Sequence, residues 1–83
     1  MSYLAIVDLG SNSARMVVEA LHEDGTYTEI IREKQDTRIA QGMGADQILK
    51  EVPIARTIAA LKHFQSVYAP FAPTVIAITT AAV

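Results

Sequence analysis

The sequence predicts an α/β fold in the order β-β-β-α-β, a mixed sheet with one helix packed on it. Three observations predict it. An uninterrupted apolar run, Tyr3-Leu4-Ala5-Ile6-Val7, ends abruptly at Asp8 and a glycine turn. Asp24-Gly25 separates two further β-rich stretches. Apolar residues at three- and four-residue steps between Ile54 and Tyr68 are followed by the β-rich run Thr74-Val75-Ile76-Ala77-Ile78-Thr79.

Residues 3–7 are continuously apolar, which suits a strand buried on both faces and central in its sheet. Gly10-Ser11-Asn12-Ser13 are turn formers and residues 14–21 are again β-favourable, so two strands flank a tight polar loop. At Asp24-Gly25 the glycine tolerates the positive φ that a tight hairpin demands. Residues 27–34 alternate imperfectly, which puts the third strand near an edge with one face in water; the tail, 36–40, is expected to stay extended.

Gly42-Met43-Gly44 breaks the pattern, and Asp46 is placed to cap a short helical turn through Ile48 and Leu49. Pro53 suits the first turn of a new helix, where its missing N–H costs nothing. Ile54, Ile58, Leu61, Phe64 and Tyr68, with Ala55 and Ala59 beside them, form the stripe expected to pack on the sheet. Pro70 and Pro73 end this helix, and a strand reached by a helical crossover is expected to run parallel to its partner.

Eighty-three residues allow one small domain or part of one. An apolar content of 51% is more than so small a body can cover, so exposed sheet edges and apolar faces are expected to make the chain a homo-oligomer. The net charge of -2 and seven scattered basic residues argue against a broad nucleic-acid surface. The absence of cysteine removes disulfides, thiolate metal sites and thiol nucleophiles, and fits a cytoplasmic setting. Residues 3–7 are too short for the apolar region of a signal peptide, and no stretch nears the roughly 20 apolar residues of a membrane span, so no membrane partner is expected.

The chemistry concentrates at Asp8, where a central strand ends and a glycine turn begins. Gly10 lets the backbone approach an anion, while Ser11, Asn12 and Ser13 offer N–H, hydroxyl and amide donors in a short arc. Mg²⁺, or Mn²⁺ in its place, needs only one or two protein carboxylates beside water and phosphate oxygens, so Asp8 suits a metal anchor. The same residue types are those any polar turn prefers, and on residue type alone the two readings stand level. There is neither a P-loop nor a dinucleotide fingerprint. Thr79 and Thr80 end a parallel strand, where α/β sheets gather ligand groups. His22 and His63 read as surface residues, Arg15 as a charge on a strand face, and Met16 and Met43 as core filler.

Taken together, Ala5-Ile6-Val7-Asp8-Leu9-Gly10-Ser11-Asn12-Ser13-Ala14-Arg15-Met16-Val17-Val18 resembles the start of the exopolyphosphatase and guanosine pentaphosphate phosphohydrolase (Ppx/GppA) family. The resemblance continues, in order, through Thr37-Arg38-Ile39-Ala40-Gln41-Gly42-Met43, the helix from Ala55 and the closing Ala77-Ile78-Thr79-Thr80-Ala81-Ala82-Val83. It implies an actin-like ATPase fold of the ribonuclease H type, of which residues 1–83 are the N-terminal part of the first domain, with the second domain absent. It also implies a cation-binding role for Asp8 and a phosphate loop at Gly10, Ser11, Asn12 and Ser13. Arg38 matches a family arginine and is a further phosphate candidate, since a guanidinium suits phosphate oxygens. The family's catalytic glutamate and second phosphate loop have no counterpart in this sequence.

The activity expected of the intact parent is hydrolysis of terminal phosphoanhydride bonds of inorganic polyphosphate or of guanosine penta- or tetraphosphate. Two alternatives stand beside it. Actin-like kinases of sugars or acetate also open with a strand, a D-x-G loop and a second strand. The 83-residue chain by itself reads as inactive, a truncated domain stabilised by self-association.

Overall fold

The computed structural model describes residues 1–42, 44 and 48–79. Four strands, β1 (Ser2–Leu9), β2 (Ser13–Leu21), β3 (Tyr27–Asp36) and β4 (Thr74–Thr79), form one sheet in the order β3-β2-β1-β4. One helix, α1 (Glu51–Tyr68), lies between β3 and β4 in sequence and runs into a 3-10 turn at Ala69–Phe71. β1 is antiparallel to β2 and parallel to β4, so the sheet is mixed and β1 is central, as the sequence predicts. No helix of the described residues is long and apolar enough to cross a membrane.

Local chemistry explains each turn. In the second hairpin Gly25 stands at φ +87°, where a side chain would be strained, and its N–H donates to the His22 carbonyl at 3.0 Å. Asp24 Oδ1 accepts from the Thr26 N–H at 3.0 Å and the Thr26 hydroxyl at 2.6 Å, closing the turn from its own side chains. α1 starts at Glu51 without a side-chain cap, and Pro53 sits in its first turn. The Thr57 hydroxyl donates to the Pro53 carbonyl at 2.8 Å, which satisfies a buried polar group within the helix.

The core lies between α1 and one face of the sheet. Side chains alternate across a strand, and β2 buries Ala14, Met16, Val18 and Ala20 on the helix side. Ala5 and Val7 of β1 join them, Phe64 closes over the cluster, and Tyr3, Leu9, Ile31, Val67, Tyr68 and Phe71 pack around it. His63 Nε2 reaches Glu33 Oε1 at 2.8 Å, tying α1 to β3; this acidic neighbour is thirty positions away in sequence and invisible to local spacing. His22, half-buried in its hairpin, lies 2.7 Å from the Thr28 hydroxyl.

Four expectations are corrected. β1 is not buried on both faces: Ala5 and Val7 are covered, whereas Leu4 and Ile6 on the opposite face are only half-buried. The buried face of α1 is Pro53, Thr57, Ala60 and Phe64, rotated away from the expected stripe; Ile58 is 48% exposed, while Phe64 alone is common to both. The reason is steric, because small residues let the helix lie close to the sheet. The displaced large residues Ile58 and Leu61 instead line, with Val7, Tyr68, Val75 and Ala77, an apolar groove between α1 and β4.

The tail after β3 is not extended. Arg38 takes φ +46° and its carbonyl accepts from the Gln41 N–H at 2.8 Å, so the chain turns at once. Ile48 and Leu49 are not helical, and α1 begins only at Glu51. Asp46 and Met43 lie outside the described residues.

Candidate phosphate site at the end of the central strand

The site is built by the first hairpin. Leu9 and Ala14 form the last pair of the β1–β2 ladder, and the Gly10 N–H donates to the Ser13 carbonyl at 3.0 Å, closing a short loop past the strand ends. Asp8, Gly10, Ser11, Asn12, Ser13 and Arg15 line a shallow concavity of about 220 Å³ there. Every loop residue singled out in the sequence is therefore brought together with Asp8.

A second concavity of about 380 Å³ adjoins the loop on another flank, lined by Ser11, Asn12, Arg38, Ala40 and Gln41. The Asn12 carbonyl accepts from the Thr37 N–H at 3.1 Å and the Arg38 N–H at 2.9 Å, so the turn after β3 is fastened directly to the loop. Arg38 thus stands beside the loop, across from the side that Asp8 and Arg15 line.

On sequence alone Arg15 is a charge on a strand face; the structure makes it register partner to Asp8 and a lining residue of the same concavity. The signal was present: a hairpin closed at Leu9 and Ala14 puts the next pair outward on one face of the sheet, and that pair is Asp8 and Arg15. Thr79 ends β4 opposite Leu9, whereas Asp8 is opposite Ile78, so Thr79 belongs to the helix-side face and Asp8 to the other. Thr80 lies outside the described residues.

Among the described residues no group of three or more His, Asp or Glu converges as a metal cage. Asp8 is half-buried at the loop mouth, with hydroxyl-bearing Ser11 and Ser13 lining the same concavity. That donor set fits a hard cation that keeps most of its water and shares a phosphate oxygen, and does not fit zinc.

A mixed sheet with the order β3-β2-β1-β4, a helix on one face and a polar loop at the end of the central strand define a partial actin-like domain of the ribonuclease H type. Solved structures agree. An Aquifex aeolicus member of the Ppx/GppA family superposes with a TM-score of 0.86 at 25% identity, covering 94% of this chain and 26% of its own. A second Aquifex aeolicus Ppx/GppA enzyme structure gives 0.84 at 25% identity over 94% of this chain and 26% of its own. An exopolyphosphatase from Cytophaga hutchinsonii gives 0.86 at 20% identity over 94% of this chain and 25% of its own, a likeness of fold. No family sequence model matches the chain. The chain is similar, over nearly its whole length, to a segment of the Ppx/GppA family structures. It spans about a quarter of the length of the structures it matches.

Proposed function

We propose that the whole protein hydrolyses terminal phosphoanhydride bonds of inorganic polyphosphate, of guanosine pentaphosphate, or of both. The observation that supports this reading most is the concavity at the end of β1, where one carboxylate, a backbone turn with three hydroxyl or amide side chains, and an arginine converge. Asp8 would hold Mg²⁺ or Mn²⁺ beside the terminal phosphate, and such a cation, when bound, offsets charge on the phosphoanhydride oxygens. Gly10, Ser11, Asn12 and Ser13 orient the terminal phosphate with N–H and side-chain donors, and Arg38 faces the phosphate behind it. Residues 1–83, on this reading, supply the binding half of a site in the first of two domains, and the group that orients the attacking water belongs elsewhere in the protein.

The test is phosphate release from polyphosphate and from guanosine pentaphosphate, with Mg²⁺ and with Mn²⁺. Release from either supports the proposal; no release from both defeats it. Formation of ADP that depends on a sugar or acetate acceptor would move the chain to the actin-like kinases.

For the 83-residue chain alone a second reading is favoured by the groove between α1 and β4 and by Val75, Ile76 and Ile78, each more than two-fifths exposed on β4. We infer that the isolated chain self-associates through these surfaces and is inactive. A monodisperse monomer in light scattering contradicts this.

A further inference from the structure

Arg56 reaches from α1 to the turn that follows β3. Its Nη1 donates to the Thr37 carbonyl at 3.1 Å and its Nη2 to Oε1 of Gln41 at 2.9 Å. Between those two anchors stands Arg38, whose φ of +46° is a left-handed conformation that a non-glycine residue keeps only when its surroundings impose it. Here they do. Arg38 donates its N–H to the Asn12 carbonyl at 2.9 Å and accepts from the Gln41 N–H at 2.8 Å, while Thr37 N–H meets the same Asn12 oxygen at 3.1 Å.

A carbonyl has two lone pairs, and both of those on Asn12 are engaged by this turn. The peptide joining Asn12 to Ser13 cannot rotate without losing two hydrogen bonds, so the orientation of the Ser13 N–H in the phosphate loop is fixed by the turn. One guanidinium therefore holds both ends of a turn whose first two N–H groups hold the loop. The planar guanidinium spans the two acceptors from two separate nitrogens; an ammonium, with its three donors on one nitrogen, does not reproduce that spacing.

We propose that Arg56 is a positioning residue for the phosphate site. It keeps the 37–41 turn closed, and so holds Arg38 beside Ser11 and Asn12 and sets the angle of the Asn12–Ser13 peptide. The ligand class served is a chain of at least two phosphates, one on the loop and one facing Arg38. This rests on the phosphohydrolase reading above.

The experiment uses the whole protein with tripolyphosphate as probe, and compares Arg38→Ala, Arg56→Ala, the double variant and Arg56→Lys. Arg56→Ala and Arg38→Ala should each raise KM about tenfold with kcat nearly unchanged, and the double variant should be no worse than the weaker single, because contacts acting in series are not additive. Arg56→Lys should recover little of the loss. Amide exchange at Thr37 and Arg38 should quicken by about tenfold or more in Arg56→Ala. An unchanged KM in Arg56→Ala, additive losses in the double variant, or lost thermal stability with normal KM would each overturn the proposal. If the protein binds tripolyphosphate but does not cleave it, the hydrolase reading fails, while Kd and amide exchange still decide the role of Arg56. Should Arg56→Ala not fold, Gln41→Ala removes one of the two anchors, and about a threefold rise in KM is expected, with no rise overturning the proposal.

Discussion

Asp8 and Arg15 are partners in the antiparallel register of β1 and β2, on the same face of the sheet and one pair below the loop that Leu9 and Ala14 close. A carboxylate and a guanidinium so placed present opposite charges to one shallow concavity. On the proposed function they would divide the work, the first attracting a cation and the second an anion.

Asp8→Asn in the whole protein should reduce metal-dependent phosphate release on the order of 100-fold, mainly in kcat, because an amide is a poorer cation ligand. Arg15→Met, which keeps the aliphatic stem, should instead raise KM for polyphosphate about tenfold, the worth of a charge-assisted hydrogen bond. Steady-state kinetics across a Mg²⁺ titration separates the two. Excess Mg²⁺ that restores Arg15→Met but not Asp8→Asn would contradict the assignment.

The faces of α1 make different demands. Phe64→Ala empties the centre of the core and should cost about 3–5 kcal/mol, a large part of what an 83-residue domain possesses. Ala60→Leu should cost about 1–3 kcal/mol by overpacking against the sheet. Ile58→Ala, on the groove side, should cost less than Phe64→Ala by a wide margin. Urea midpoints of the three variants give the ranking directly.

Much of this architecture is legible in the residues. The strand order follows from one apolar run, two turn signals and one crossover, and the loop from the glycine and serines after Asp8. Less legible was which side of α1 meets the sheet, because large apolar residues advertise hydrophobicity whereas close helix–sheet contact selects Pro53, Thr57 and Ala60 for being small. The apolar residues outnumber the surface that these five elements can cover, so two faces of α1 compete for the sheet and the slimmer one wins. The turn at Arg38 is illegible for another reason: its left-handed backbone is imposed by Asn12 and Arg56 from outside the segment, and nothing in the run Thr37-Arg38-Ile39 asks for it.

Thr37 tests that imposed turn at its most buried point. Its side chain is fully covered and Oγ1 has no hydrogen-bond partner among the described residues. Thr37→Val preserves shape and leaves both backbone bonds to Asn12 and Arg56 in place, so it should be neutral or stabilising by up to about 1–2 kcal/mol. Thermal denaturation checks this. A loss of more than about 1 kcal/mol would mean that the hydroxyl has a partner after all.

Acid should loosen the second hairpin in a defined window. The Thr26 hydroxyl and then its N–H hold the Asp24 carboxyl below its usual 3.8. A group whose folded pKa is depressed adds stability above its unfolded value and loses it as pH falls through the folded one. The turn should therefore keep its Asp24–Thr26 bonds at neutral pH and surrender them only below about pH 3.8. Chemical shifts of the Thr26 and Gly25 amides, followed from pH 6 to pH 2, report the change, and Asp24→Ala should abolish it.

The pairing that bears the phosphate loop joins close neighbours in sequence, Leu9 with Ala14, whereas β4 must find β1 from the far side of the helix, Leu4 with Thr74. Local pairings close quickly and distant ones late. The loop of the proposed phosphate site is thus expected to assemble early, on a two-stranded scaffold that has yet to meet α1. Its rigidity is expected to follow, when the helix docks and the guanidinium of Arg56 reaches Thr37. On the proposed function, the part that would touch the ligand should form first and be the last to be made stiff.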